Sequence, residues 1–210
     1  MRVNADFTQR VAVHFDQTEW VTTPAAGVER KMLDRIGNEV ARATTIVRFA
    51  PGSAFAAHTH EGGEEYLVLD GVFQDETGDF PVGSYVRNPP TSSHTPSASE
   101  GATILVKLHQ FDPDDRTEVR RSINGGGDID LFTDAHENVQ VQSWAAGERI
   151  ELDASNGIEV FVIEGNFSEA DEKFGVWDWL RLPPGSSLTA VAGEGGARIW
   201  IKSDHLGSMI

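Results

Sequence analysis

Four residues of this chain have the types and spacing to hold a metal ion: His58, His60, Glu64 and His94. They lie in two stretches, Gly52-Ser-Ala-Phe-Ala-Ala-His-Thr-His-Glu-Gly-Gly-Glu-Glu-Tyr-Leu-Val-Leu-Asp-Gly71 and Gly83-Ser-Tyr-Val-Arg-Asn-Pro-Pro-Thr-Ser-Ser-His94. Alternate side chains of a strand share a face, so His58 and His60 are expected to point the same way. The Gly62-Gly63 pair predicts a turn that returns Glu64 beside them at the start of the next strand. Three neutral imidazoles and a carboxylate, with no sulfur, suit one divalent transition metal: Zn(II), Fe(II), Mn(II) or Ni(II). A four-coordinate zinc site can be closed and structural, whereas iron or manganese would keep positions open for substrate and dioxygen. A local charge of about +1 would attract an anionic or enolisable oxygen ligand.

Such ligands need strands to carry them. Short alternating runs at Thr44–Phe49, Glu65–Asp70, Ser84–Arg87 and Thr103–Leu108, separated by Gly, Pro, Asp and Ser clusters, predict an all-β sandwich or barrel. Val28–Val40 fits an edge strand or an amphipathic helix, and strand is the preferred reading. The chain also repeats itself at an offset of about 95 residues. Glu65-Tyr-Leu-Val-Leu-Asp-Gly-Val-Phe73 matches Glu159-Val-Phe-Val-Ile-Glu-Gly-Asn-Phe167, and Pro89-Pro-Thr-Ser-Ser-His94 matches Pro183-Pro-Gly-Ser-Ser-Leu188. Two tandem barrels are expected, residues 1–112 and 113–210, joined near Asp112-Pro-Asp-Asp-Arg116, with Asn124-Gly-Gly-Gly127 a loop early in the second. In the second copy His58 becomes Asp153, His60 becomes Ser155 and His94 becomes Leu188, while Glu64 falls on Ile158 or a gap. The fold therefore does not need these residues, which favours a dedicated role for them in the first copy.

The spacing resembles the two motifs of the cupin superfamily. The first runs through Gly52, His58, His60, Glu64 and Gly71; its gap to Gly71 selects Glu64, and alternation sends Glu65 to the other face. The second is matched at Gly83, Pro89 and His94, with Thr91 where a second Gly is usual and Ala98 where Asn is usual. The text from Gly62 to Phe73 and from Gly83 to Pro90 is similar to the ChrR-type subfamily. The resemblance implies two double-stranded β-helix (jelly-roll) barrels, a bicupin, with one divalent metal in the N-terminal barrel. It also implies two classes of activity. Related three-His, one-Glu cupins include dioxygenases that cleave β-diketones and hydroxyacetophenones. ChrR-type proteins themselves are zinc anti-sigma factors of stress responses, whose helical N-terminal domain carries a cysteine-containing zinc motif.

Composition trims these options. There is no cysteine, which excludes disulfides, thiolate zinc and thiol redox sensing, and speaks against a sigma-factor partner bound by the family's mechanism. The net charge of −16, from 33 acidic and 17 basic residues, argues against nucleic-acid or membrane binding. No apolar N-terminal core or membrane-length segment is visible, so a cytoplasmic protein is expected. Monomer and homodimer are both compatible with the chain. A small-molecule ligand is expected in the N-terminal barrel, with Tyr66 as a hydrogen-bonding group; Ala54 and Ala56, on the face of His58 and His60, either leave room for it or pack under bulky residues of facing strands. No separate general base is evident, and His14, His109, His136 and His205 are read as surface or packed histidines.

Overall fold

The alternating runs become strands in the computed structural model, in which residues 1–207 are described. Each run is slightly longer than the sequence suggests: Ala41–Phe49, Glu64–Asp75, Ser84–Asn88 and Ala102–Leu108. The ambiguous segment is the strand Val28–Gly37. A 3-10 turn stands at Phe15–Gln17.

Two compact units form, one from Met1–Ala5 with Glu19–Asn124 and the other from Asp6–Thr18 with Gly125–Ile210. The first unit's main sheet runs Arg2–Val3, Val28–Gly37, Ala41–Phe49, Ala102–Leu108, Glu64–Asp75, Ser84–Asn88, Val119–Ser122, antiparallel throughout. The second runs Ile129–Thr133, Asn138–Trp144, Ser186–Ser203, Ile158–Glu169, Trp179–Leu182, Val11–Val13. The repeat read from the sequence thus reappears as the same strand order. Its last strand is supplied from unexpected places: Val119–Ser122 closes the first sheet and Val11–Val13 the second. Residues 113–124, read as the start of the second half, pack with the first unit, and residues 6–18 pack with the second. An open sheet edge exposes unpaired backbone groups, and these two strands cover one.

Two irregularities set which side chains face inward. The Val28–Gly37 strand has a bulge between Met32 and Asp34, and the Glu64–Asp75 strand shifts register opposite Thr103/Ile104. A bulge inserts one residue and reverses the alternation beyond it. Gly71 follows the second bulge at φ 69°, where a Cβ would lie 2.2 Å from the Gly101 carbonyl oxygen. Gly165 repeats this at φ 73°, with 2.1 Å to the Gly196 oxygen. Only glycine fits such an approach of two backbones.

Candidate metal centre

The two short strands His58–Thr59 and Ser93–His94 pair with each other in the register His94 opposite His58, which brings their imidazoles to 5.0 Å between ring centres. His60 follows the first of these strands, its ring 4.9 Å from His58 and 4.6 Å from His94. One nitrogen of each ring lies within 4.8 Å of the others. The turn at Gly62-Gly63 then delivers Glu64, whose Oε2 is 3.4 Å from His60 Nε2 and 3.6 Å from His94 Nε2. Glu65 points away and accepts from the Tyr85 hydroxyl at 2.7 Å. His58, His60 and His94 are a group that could hold a metal ion, and Glu64 stands at its side.

Outer partners fix this arrangement. His58 Nδ1 donates to the Ala56 carbonyl at 3.2 Å, and His94 Nδ1 faces Asp75 Oδ2 at 3.4 Å, neither of the latter two atoms having another hydrogen-bond partner. Ligating histidines characteristically use the second nitrogen in this way, which leaves Nε2 for the metal. Asn88 donates to Glu64 Oε2 at 3.1 Å and is itself held by Arg120 at 2.8 Å. Asp75, Asn88 and Arg120 were not found from the sequence. Asp75 sits at an odd position in the strand and reaches the site only because the bulge reverses the alternation after Val68.

The electrostatics favour a cation. Burial, then the charges of His58 and His109, hold the His60 imidazole down to about 4, so it is neutral at physiological pH. Burial also lowers His94, although Glu64 opposes the shift. The Glu64 carboxyl is raised by burial against the pull of His94 and Asn88. Asp75 feels burial upward but is held below the usual carboxylate range by Thr77 and His94. Buried His60 Nε2 has no hydrogen-bond partner. An orphaned imidazole nitrogen facing a desolvated carboxylate fits a divalent ion, which would satisfy both.

The cluster opens on a cavity of about 350 Å³ lined by His58, Glu64 and His94 together with Val47, Phe49, Phe55 and others. Here the expected wall of small residues is corrected. Ala54 and Ala56 are exposed, because Ser53–Ala54 and His58–Thr59 are separate two-residue strands and alternation does not run between them. Phe55 lines the cavity instead, its ring 5.5 Å from Phe49. Tyr66 is buried against Phe73, and its hydroxyl has no hydrogen-bond partner; burial, reinforced by Glu64, keeps it protonated.

Among the other histidines, His109 packs against Gly62, where a Cβ would strike its ring, and so borders the site. His205 Nε2 donates to Glu159 at 2.8 Å, and His14 bridges Asp178 and Glu172 at 2.8 and 2.9 Å. In the second unit Leu188 and Ile158 are fully buried in an apolar core with Trp144 and Phe167, while Ser155 bonds Asp153 at 2.7 Å.

An antiparallel jelly-roll barrel with a histidine cluster beside an interior cavity, repeated as a second barrel without the histidines, defines a cupin with two barrels. The family model of the ChrR cupin-like domain matches residues 8–112, and the chain belongs to that family. The anti-sigma-E factor ChrR of Cereibacter sphaeroides is 33% identical over 104 residues, which are 50% of this chain and 47% of that protein. The chain thus matches about half the length of this curated relative. Among solved structures, a candidate dioxygenase of Nostoc punctiforme aligns with a TM-score of 0.78 at 14% identity, covering 95% of this chain and 84% of that one. The Escherichia coli pirin YhhW in complex with nickel(II) aligns at 0.69 and 13% identity, covering 92% and 98%. At these identities the structures speak for the fold alone.

Proposed function

We propose that this chain is a metal-dependent oxygenase of a small enolisable, diketone-like substrate, with one divalent metal held by His58, His60, Glu64 and His94. The observation that carries this reading is the placement of the histidine cluster in the wall of a cavity of small-molecule size. A closed structural site would have no need of such a space. In this reading the unit of Met1–Ala5 and Glu19–Asn124 carries the metal, and the unit of Asp6–Thr18 and Gly125–Ile210 forms a barrel without ligands. When bound, the metal supplies Lewis acidity and open positions for substrate oxygen and dioxygen.

The chain's own residues do the rest. The Ala56 carbonyl and Asp75 orient two imidazoles, and Asn88 fixes one oxygen of Glu64. Phe49, Phe55 and Phe73 exclude water from the interior side and hold an apolar substrate body. The exposed edge of His58 is the side from which substrate arrives. Apart from Glu64, proposed as a ligand, the carboxylate lining the cavity is Glu39, on the turn after the Val28–Gly37 strand, so the substrate is expected to bind as its enolate.

The anti-sigma relative supports a second reading, a zinc-binding stress sensor. Residues 1–45 of this chain carry strands and one 3-10 turn, so within these residues a partner would meet sheet edges and not a helical bundle. Oxygen uptake by iron-loaded protein offered β-diketones and hydroxyketones decides between them. Turnover with at least one such compound, absent in His94→Ala, is expected. Failure with every compound at full iron occupancy, together with recovery of a sigma factor from native extract, would favour the sensor.

A further inference from the structure

The cavity has a second polar end that the metal reading does not use. Arg30 and Arg35 both line it, although five residues apart on one strand they should face opposite ways. The bulge between Met32 and Asp34 reverses the alternation and turns both guanidinium groups inward. Arg35 is 3% exposed, and its Nη2 donates to the backbone carbonyls of Asn38 and Glu39, while the Glu39 carboxylate acts on it only through its charge, without a hydrogen bond. Burial, then the charge of Arg30, lowers its pKa, which marks two cations gathered in one desolvated place. The Nε atoms of Arg30 and Arg35 and the hydroxyl of Thr45 are buried with no hydrogen-bond partner. Glu39, two-thirds exposed on the turn after the strand, is the acid closest to hand, and it meets Arg30 only at 3.5 Å. Buried guanidinium N–H groups left without an acceptor are costly, whereas a carboxylate inside the cavity would engage them in paired, charge-assisted hydrogen bonds. Between this end and the histidines the wall is apolar: Phe49, Phe73, Ile104 and Val106.

We propose that the cavity is built for a monocarboxylate with an aromatic or branched apolar body, whose carboxylate docks on Arg30, Arg35 and Thr45 while the body lies along the phenylalanines. Its place as the substrate class rests on the oxygenase reading above, since only then does the other end of the molecule meet the metal. The carboxylate site itself does not depend on the metal. Glu39 is a weak competitor for the same donors and yields when the ligand enters.

The test is calorimetric titration of the full chain with 3-phenylpropanoate and its neutral amide, first without metal and then loaded with Zn(II). The metal-free chain is expected to bind the carboxylate about tenfold or more tightly than the amide, as paired buried charges require. Arg35→Met should abolish that preference. Glu39→Gln, which leaves the strand intact, should tighten carboxylate binding several-fold by removing the competitor. His94→Ala should keep the preference while losing zinc. Equal binding of acid and amide by the wild-type chain, no binding of the acid at millimolar concentration, or weaker carboxylate binding by Glu39→Gln would overturn the proposal. Loss of zinc binding from the wild type with the preference intact would sink the metal reading alone.

Discussion

At the scale of single residues, one of the two departures from the sequence motif carries a backbone signature. Thr91 stands where the cupin pattern has glycine, and it adopts φ 75°, the left-handed region that a β-branched residue avoids. The repeat keeps Gly185 at the matching place with φ 81°. Thr91 holds this strained backbone because its N–H donates to the His60 carbonyl at 2.9 Å and so pins the ligand loop. Thr91→Gly is therefore expected to raise stability by about 1 kcal/mol, read as an upward shift of Tm, with metal affinity kept. Outer partners should matter more for the metal. Asp75→Ala and Asn88→Ala are each expected to weaken binding about 10–100-fold in a chelator competition. His60 also gives a pH prediction. Its folded pKa of about 4 lies below the unfolded value, so between these two pH values the unfolded chain takes up a proton that the folded one refuses. The metal-free protein should lose stability as pH falls from about 6.5 toward that value, and His60→Gln should flatten the slope.

At the scale of elements, what was legible in the sequence depended on regular alternation. The strands, the glycine turn and the sending of Glu65 to the other face all follow from period-two patterning, and the structure has them. What lies beyond a bulge was not legible: Asp75 and Arg35 both sit out of phase with the strand that carries them, and only the register shift reveals their facing. The placement of residues 6–18 was equally hidden, since an edge strand's partner is chosen by long-range closure and not by local pattern. This segment is held by His14, which sits between Asp178 and Glu172 and stacks on Phe174 at 5.4 Å. Asp178 and then Glu172 raise its pKa. A raised folded pKa means full stabilisation below about 6.5 and loss as pH rises through the folded value. Hydrogen-exchange protection factors in Val11–Val13, taken relative to the intrinsic rate at each pH, should accordingly fall from pH 6 toward pH 8, and His14→Gln should remove that fall. Gly71→Ala puts a methyl against the Gly101 oxygen and is expected to cost about 2–4 kcal/mol in chemical unfolding.

At the scale of the whole molecule, the two barrels preserve different things. In the first, Glu65 pairs in register with Arg87 and Lys107; in the second, Glu159 pairs in register with Arg181 and Lys202. All six are buried, and Tyr85 and Trp179 donate to the two glutamates at 2.7 and 3.1 Å. The second copy has thus kept a buried ionic cluster that is costly to break, while every metal-ligand position has changed. In the proposed reading the former serves the fold of both barrels, and the latter serves metal binding in the first. That division makes stoichiometry the direct test of the account. Metal content should be measured by elemental analysis on protein prepared without oxygen and reconstituted in turn with iron, manganese, nickel and zinc. About one ion per chain is expected for the wild type, and none for His60→Ala or His94→Ala proteins that remain folded by circular dichroism. Two ions per chain, none after reconstitution, or full occupancy in the folded variants would contradict it.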